Sequence, residues 1–209
     1  MSKKMIYLLS LIMVIFSLVS CTIKYLPVPN PHIVISDDFA VIKESDFTFA
    51  VENQYWIKNP QNLTDYFTTF YISVKNRTSE KMNIELGDVV LLDENGNQYD
   101  AVTIDYIEQM LLPKQLEYLI INTIEDDDNI KTSSEDTLRE KQDRLEEWRE
   151  AKQNLLTYSF HFGNILPSAK KSGFIFFPKL QAKNNKCKVI FRNRDVEFIR
   201  SDVKKKVEK

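Results

Sequence analysis

The sequence is poor in the residues that carry most enzyme chemistry. It has two cysteines, two histidines and four glycines among 209 residues. No HExxH, paired-cysteine, P-loop, G-x-G-x-x-G or G-x-S-x-G pattern occurs. Carboxylates are plentiful, but they concentrate on a charged segment where such pairs form a solvated surface rather than acid–base dyads. The sequence therefore predicts a protein that is not an enzyme, with no catalytic residues, no metal centre and no cofactor.

A strong excess of positive charge is also lacking. The chain has 28 Lys and Arg against 30 Asp and Glu, which gives a formal net charge of −2. No basic stripe is interleaved with aromatic residues, and the composition excludes nucleic acid as a partner. The stretch from Val203 to Lys206 is basic but short, and we interpret it as a solvated chain end rather than a phosphate-binding patch.

One long apolar run is present, and it lies near the N-terminus. It follows Lys3 and Lys4 and extends over fifteen residues, from Met5 to Val19. A helix needs roughly 20 residues to cross the hydrocarbon core of a membrane. The run also lacks the polar face of a soluble helix. A charged start and a short apolar middle are typical of a secretory signal peptide, so we expect residues 1–20 to be cleaved off.

The end of this run resembles the lipobox of bacterial lipoproteins. Its residues are Leu18-Val19-Ser20-Cys21, with a small residue directly before the cysteine. The resemblance implies that the Cys21 thiol receives a diacylglycerol, a reaction that needs a thiolate nucleophile. It also implies cleavage before Cys21 and acylation of the new amino group, and two or three acyl chains make a stable anchor. The alternative is a plain secretory signal with an incidental cysteine.

The resemblance also implies a location. Thr22 stands where an Asp would favour retention at the inner membrane. We therefore expect a lipid-anchored protein of the bacterial cell envelope, held at the outer membrane and facing the periplasm. The membrane is then its first partner, through the lipid on Cys21.

The other cysteine has no partner once Cys21 carries lipid, so no intramolecular disulfide can form. Cys187 alternates with Val189 and Phe191 along a predicted strand. This spacing predicts an inward-facing, small apolar side chain rather than a reactive thiol.

Prolines occupy every second position at 27, 29 and 31. Alternating prolines favour an extended, polyproline-like spacer without internal hydrogen bonds. We predict that residues 21–36 form a lipidated tether that lifts the folded part off the membrane. Residues 37–209 are then a single domain, which is long enough for one core.

Segments with period-two alternation recur along this domain. They span 47–51, 70–75, 82–86 and 158–162, with shorter candidates at 89–92, 173–177, 187–191 and 196–199. Turn-forming residues separate them at 75–78, 93–97 and 192–195. About eight short strands with regular turns predict a mainly β, antiparallel sandwich.

The middle of the domain has helical periodicity instead, from 103 to 156. Apolar stripes occur at 104–111 and 116–124, followed by an acidic loop at 125–129 and a capping-box pattern at 133–136. A highly charged helix with a thin apolar stripe should then extend to about residue 156. We therefore predict a helical insertion into the sandwich.

Several longer stretches resemble a broad group of bacterial envelope lipoproteins with an immunoglobulin-like sandwich. They are a strand that ends in an Asn turn at Asn76, the hairpin VVLLDENGNQYDA and the late segment GNILPSAKKSGFIFFP. The resemblance implies an immunoglobulin-like fold. It transfers no catalytic residues, and the helical insertion departs from its simplest form.

Two acidic stretches and two aromatic positions remain as candidate sites. Residues 93–100 offer oxygen ligands, but their spacing differs from an EF-hand and favours a hairpin turn. The loop at 126–128 is either a weak cation site or a solvated loop. Trp148 either docks onto the sandwich or contacts a partner, and the segment Tyr55-Trp56-Ile57 is either an exposed loop anchor or the end of a buried strand.

Two hypotheses about function follow. The first is a non-catalytic, membrane-anchored lipoprotein that acts as a protein-interaction or structural module toward another envelope protein. The alternative is a lipoprotein that binds a small ligand or a cation, through the acidic loop or a cleft beneath the helical insertion.

Overall fold

The computed structural model describes residues 24–111 and 135–203, and the chain is mainly β within these ranges. The strands are β1 Tyr25–Pro27, β2 Val34–Ser36, β3 Phe39–Lys43, β4 Phe47–Asn53, β5 Phe67–Asn76, β6 Met82–Ile84, β7 Val89–Asp93, β8 Gln98–Asp100, β9 Gly163–Ile165, β10 Lys170–Pro178, β11 Lys186–Phe191 and β12 Arg194–Arg200. The helices are α1 Leu63–Tyr66, α2 Ile104–Leu111 and α3 Glu135–Tyr158, with a 3-10 turn at Leu86–Asp88.

Two five-stranded antiparallel sheets form the body of the fold. Sheet I has the order β1-β12-β11-β7-β8, and sheet II has the order β10-β5-β4-β3-β2. Their inner faces meet through aromatic rings: Phe49 stacks on Phe191 with centroids 4.5 Å apart, and Phe70 meets Phe198 at 5.1 Å. Each fully buried side chain of this size stabilises the fold by about 1.5–3 kcal/mol. The sheets therefore pack face to face, as expected for a sandwich.

A second apolar cluster lies on the outer face of sheet II. Phe174 and Phe176 of β10 point away from the sandwich core and pack against Trp56, at centroid distances of 5.2 and 5.5 Å. One buried residue from each helix joins this cluster: Leu63, Ile107 and Leu155. The helices thus form a third layer, and β10 is buried on both of its faces.

Most of the period-two segments are confirmed as strands. Seven of them lie in or overlap β4, β5, β6, β7, β10, β11 and β12. The helical character of the insertion is confirmed at α2 and α3. The stripe at 116–124, the acidic loop at 125–129 and the first half of the capping box lie outside the described residues.

The strand predicted at 158–162 is wrong. Helix α3 continues to Tyr158, and Ser159 then makes a single parallel bridge to Phe174. The Phe160 N–H donates to the Phe174 carbonyl at 2.7 Å, and no ladder follows. His161 is exposed, with its Nε2 2.6 Å from the Leu156 carbonyl oxygen. The alternation at 158–162 arises because Phe160 enters the core from a segment that leaves a helix.

The structure also differs from the predicted tether over residues 24–36. Tyr25 pairs with Arg200, which places β1 at the edge of sheet I, and β2 pairs with β3 in sheet II. The Lys24 ammonium contacts Glu52 at 2.7 Å and Asp38 at 3.0 Å. A proline lacks only its own N–H, so Pro27 can end an edge strand without interrupting a ladder. The sandwich therefore includes β1 and β2, which lie in the segment that the alternating prolines predict to be a spacer.

The turn after β7 is a hairpin, as predicted. Asp93 is buried, and its carboxylate accepts hydrogen bonds from the Asn95 N–H and the Asn97 N–H at 2.9 Å and from Asn97 Nδ2 at 2.8 Å. These donors, with the Asn97 side chain first, lower the pKa of Asp93 to about 2. The Asp93 carboxylate therefore holds the turn together.

We expect Asp93→Asn to lower the melting temperature at pH 7, because the amide nitrogen that replaces Oδ2 cannot accept the hydrogen bond from Asn97 Nδ2 and the negative charge is lost. The folded-state pKa of Asp93 is lowered, so its contribution is complete above about pH 4 and is lost as the pH falls toward 2. The difference between the wild type and the variant should therefore shrink over that interval in thermal melts followed by circular dichroism. A difference that does not change with pH would contradict this account.

We expect Gly173→Ala to destabilise the fold by roughly 1–3 kcal/mol, as overpacking does in a well-packed region. A Cβ at Gly173 would lie 2.5 Å from the backbone of Ser159 and Phe160, which approach β10 at this point. Urea unfolding measures the change. Gly87→Ala is the matched control, because a Cβ there meets nothing within 4 Å, and it should leave the free energy of unfolding nearly unchanged.

Candidate functional site

A groove runs between helix α3 and the loop at residues 59–62, which we call the Trp148 groove. The helical side contributes Arg144, Glu147, Trp148 and Ala151, and the volume of the groove is about 570 Å³. Trp148 and Ala151 are three residues apart and therefore share one face of the helix. This face reaches the buried cluster one turn later, at Leu155. The groove is thus an extension of the same apolar stripe toward solvent.

The loop is held against the helix by side-chain hydrogen bonds. Asn59 Nδ2 donates to Glu150 Oε2 at 2.8 Å, and Asn154 Nδ2 donates to the Asn59 carbonyl at 3.1 Å. Trp56, three residues before the loop, is buried in the cluster on sheet II. These contacts hold both walls of the groove in place, so binding there need not order the loop first.

The Trp148 side chain is half-buried and lines the groove. The Lys152 ammonium lies 5.4 Å from the ring centroid, and it also forms an ion pair with Glu108 of α2. A cation over an aromatic face at this distance is attracted to the ring. Lys152 therefore links the Trp148 ring to α2, and the same ring lines the groove.

The groove combines polar and charged side chains with an aromatic one. Its described lining contains an arginine, a glutamate and side-chain amides, and within that lining there is no Ser, Cys or His. Charges of both signs, on Arg144 and Glu147, flank an aromatic side chain. An aromatic anchor inside a polar rim is the usual anatomy of a protein–protein contact.

A smaller cleft of about 230 Å³ lies near the start of β1, and we call it the Tyr25 cleft. Its polar groups already have partners: the Tyr25 hydroxyl donates to the Asn184 carbonyl at 2.8 Å, and Arg200 pairs with Asp202 at 2.8 Å. Burial raises the pKa of Tyr25 to about 12 and lowers the pKa of Lys179. The hydrogen bonds at this cleft therefore connect β1 to the rest of the fold. Sequence reasoning missed it because Tyr25 was assigned to the tether.

Among the residues singled out from the sequence that the structure describes, Trp148 and Cys187 lie in different parts of the fold. Trp148 lines the groove, whereas Cys21 and the acidic loop at 125–129 lie outside the described residues. Cys187 is buried, and its burial raises the pKa of the thiol, which confirms the inward orientation. In the ranges 24–111 and 135–203, no three His, Cys, Asp or Glu side chains are placed to hold a metal ion.

Within residues 24–111 and 135–203, no helix is both long enough and apolar enough to cross a bilayer.

Comparisons with protein-family models, with curated proteins and with solved structures return no match for this chain. The groove is therefore interpreted from its own residues.

Proposed function

We propose that this protein is a non-catalytic lipoprotein of the bacterial cell envelope that binds another envelope protein through the Trp148 groove. The half-buried Trp148 in a preformed groove with a polar rim carries the proposal for binding. The lipobox at Leu18-Val19-Ser20-Cys21 supports the anchor and an outer-membrane location facing the periplasm.

The side chains that line the groove indicate what kind of partner segment would bind there. A partner segment would place an apolar or aromatic side chain against Trp148. Its charged groups would lie opposite Arg144 and Glu147, which flank the ring on the same helix. A single aromatic anchor with exposed charged neighbours suits a reversible contact better than a permanent one, because rim charges remain partly solvated.

We also propose that the sandwich is of the immunoglobulin-like type. The strand order supports this in both sheets: β8-β7-β11-β12 matches the neighbours C′, C, F and G of a variable-type domain, and β10-β5-β4 matches E, B and A. On this assignment, the helical insertion connects strand C′ to strand E. Strands β1, β2 and β3 are then additions to the two sheet edges.

A second candidate is the binding of a small ligand in the same groove. Its volume of about 570 Å³ supports this, because small-molecule sites usually measure roughly 300–1,000 Å³. The alternative with a cation in the acidic loop rests on residues 125–129, which lie outside the described ranges.

We expect Cys21→Ala to lose both acyl labelling and membrane association in cells. The substitution removes the thiol that takes the diacylglycerol, and an uncleaved or soluble chain should result. Metabolic labelling with a fatty-acid analogue, followed by membrane fractionation, measures both effects.

Cys187→Ala is the matched control, because Cys187 is buried in the sandwich and should not be acylated. That variant should keep its label and its place in the membrane fraction. An unchanged label on the Cys21→Ala chain would show that the lipobox interpretation is wrong.

We expect a photo-reactive amino acid in place of Trp148 to give a cross-linked product of defined mass in intact cells. The groove side of Trp148 is accessible, and a bound protein would lie within reach of it. Immunoblotting for this chain and mass spectrometry of the product identify the partner.

The matched control carries the same photo-reactive group at Glu146. Successive helical residues are about 100° apart, so this exposed position lies on the opposite side of α3 from Trp148. Equal products from both positions would argue against the groove. If neither position gives a product and small metabolites raise the melting temperature of the wild type but not of Trp148→Ala, the ligand candidate replaces the protein partner.

A further inference from the structure

The Tyr25 cleft lies at one end of the sandwich and is bounded by both sheets. From sheet I, Tyr25 begins β1 and Arg200 ends β12, and from sheet II, Asn53 ends β4 and Phe67 begins β5. The segment that follows β10, residues 179–182, completes the lining. The ends of a β-sandwich, where strands end and loops cluster, are a common position for binding sites.

Uncharged polar groups of the cleft are engaged in hydrogen bonds of the fold. The Asn53 side chain accepts from the Tyr25 N–H at 2.8 Å and donates to the Thr69 carbonyl at 2.9 Å. The Thr68 hydroxyl oxygen accepts from the Leu180 N–H at 2.9 Å. These bonds hold the walls of the cleft in place, so recognition of a charged ligand falls to the cationic side chains.

Two cationic side chains line the cleft, and the fold uses only part of their hydrogen-bonding capacity. The Lys179 ammonium, which has three N–H groups, donates to the Thr64 carbonyl. The Arg200 guanidinium, which has five, donates two to the Asp202 carboxylate and one to the Ala182 carbonyl. Within residues 24–111 and 135–203, each side chain thus keeps two N–H groups for a ligand. The described lining contains no Asp or Glu that would compete for them.

The balance of charge at the cleft favours a ligand with one negative charge. Asp202 pairs with Arg200 at 2.8 Å, whereas the contact of the Lys179 ammonium in the described chain is an uncharged carbonyl. Partial burial lowers the pKa of Lys179, although Asp65 attracts it from a longer distance. One positive charge that is not balanced locally suits one carboxylate better than a phosphate dianion.

The remaining walls suit an apolar group of limited size. They include the rings of Tyr25, Tyr55 and Phe67 and the side chain of Leu180. The volume of about 230 Å³ lies below the roughly 300–1,000 Å³ of sites for drug-sized molecules. The ligand is therefore a small molecule rather than a folded partner.

We propose that the Tyr25 cleft binds a small monocarboxylate that carries an apolar body. The carboxylate contacts Lys179 and Arg200, and the apolar body lies against the rings of Tyr55 and Phe67. This site shares no lining residue with the groove beside α3, so the inference is independent of the protein partner proposed there.

The test uses the full chain as isolated from cells, isotope-labelled and held in a zwitterionic detergent at pH 7. Hexanoate is the probe. We expect it to shift the backbone amide signals of residues 180–182 in NMR spectra, with saturation in the millimolar range. Hexanamide lacks the charge and acetate lacks the apolar body, so each should bind about ten-fold or more weakly than hexanoate.

Lys179→Gln should weaken hexanoate binding roughly ten-fold, because it removes a charged hydrogen-bond donor. Lys179→Arg keeps the charge and should bind nearly as well as the wild type. Lys183→Gln is the matched control, because Lys183 is exposed in the same segment but does not line the cleft. It should bind hexanoate like the wild type, and melting curves without ligand check that each variant is folded.

Four results would overturn the proposal. The first is a wild-type chain in which hexanoate shifts no signal, or shifts signals only away from residues 180–182. The second is equal binding of hexanoate and hexanamide, which decides the matter even if Lys179→Gln does not fold. The third is inorganic phosphate that binds as tightly as hexanoate. The fourth is an equal loss of binding in Lys179→Gln and Lys183→Gln, which would reduce the effect to general surface charge.

Discussion

Strand β10 packs against two apolar clusters, one on each of its faces, and the rest of the structure depends on this double packing. Ile175 and Phe177 fill the space between the sheets, whereas Phe174 and Phe176 pack against the helical layer. Loss of either pair of side chains would also weaken the packing of the other pair, because the same strand carries both. The backbone of Ser159 and Phe160 approaches β10 closely at Gly173, and a Cβ atom there would collide with it. This close contact is part of the same constraint on β10.

The position of the Trp148 groove depends on this packing of β10 on both faces. Trp56 fixes the segment that leads to the loop at 59–62, and Leu155 fixes the C-terminal part of α3. The rest of the helix carries mostly charged residues and has little apolar surface to bury. A long polar helix that is packed mainly near one end presents Trp148 at the point where packing gives way to solvent. That position explains why the ring is only half-buried.

The architecture could be predicted from the sequence wherever one face of a strand is buried, because alternation then records the core directly. The double burial of β10 could not be predicted, since four consecutive apolar residues follow Gly173 in the run GFIFF, and such a run does not reveal what covers each face. Strands β1, β2 and β3 were missed because prolines or short length hid their periodicity. The Trp148 groove joins segments about 90 residues apart, and no local pattern indicates such a contact. The sequence singled out Trp148 but left its surroundings undetermined.

The pairing of β1 with β12 has a consequence for how the molecule forms. Tyr25 and Arg200 are 175 residues apart in sequence, yet they are direct neighbours in the sheet. During synthesis the chain presents β1 first, and its only sheet neighbour among the described strands, β12, comes last. The outer edge of sheet I therefore stays open until nearly all of the described chain is present, and pairings of such long range are slow to form. The contact between β1 and β12 therefore links the two ends of the described chain, and no shorter part of it can complete sheet I.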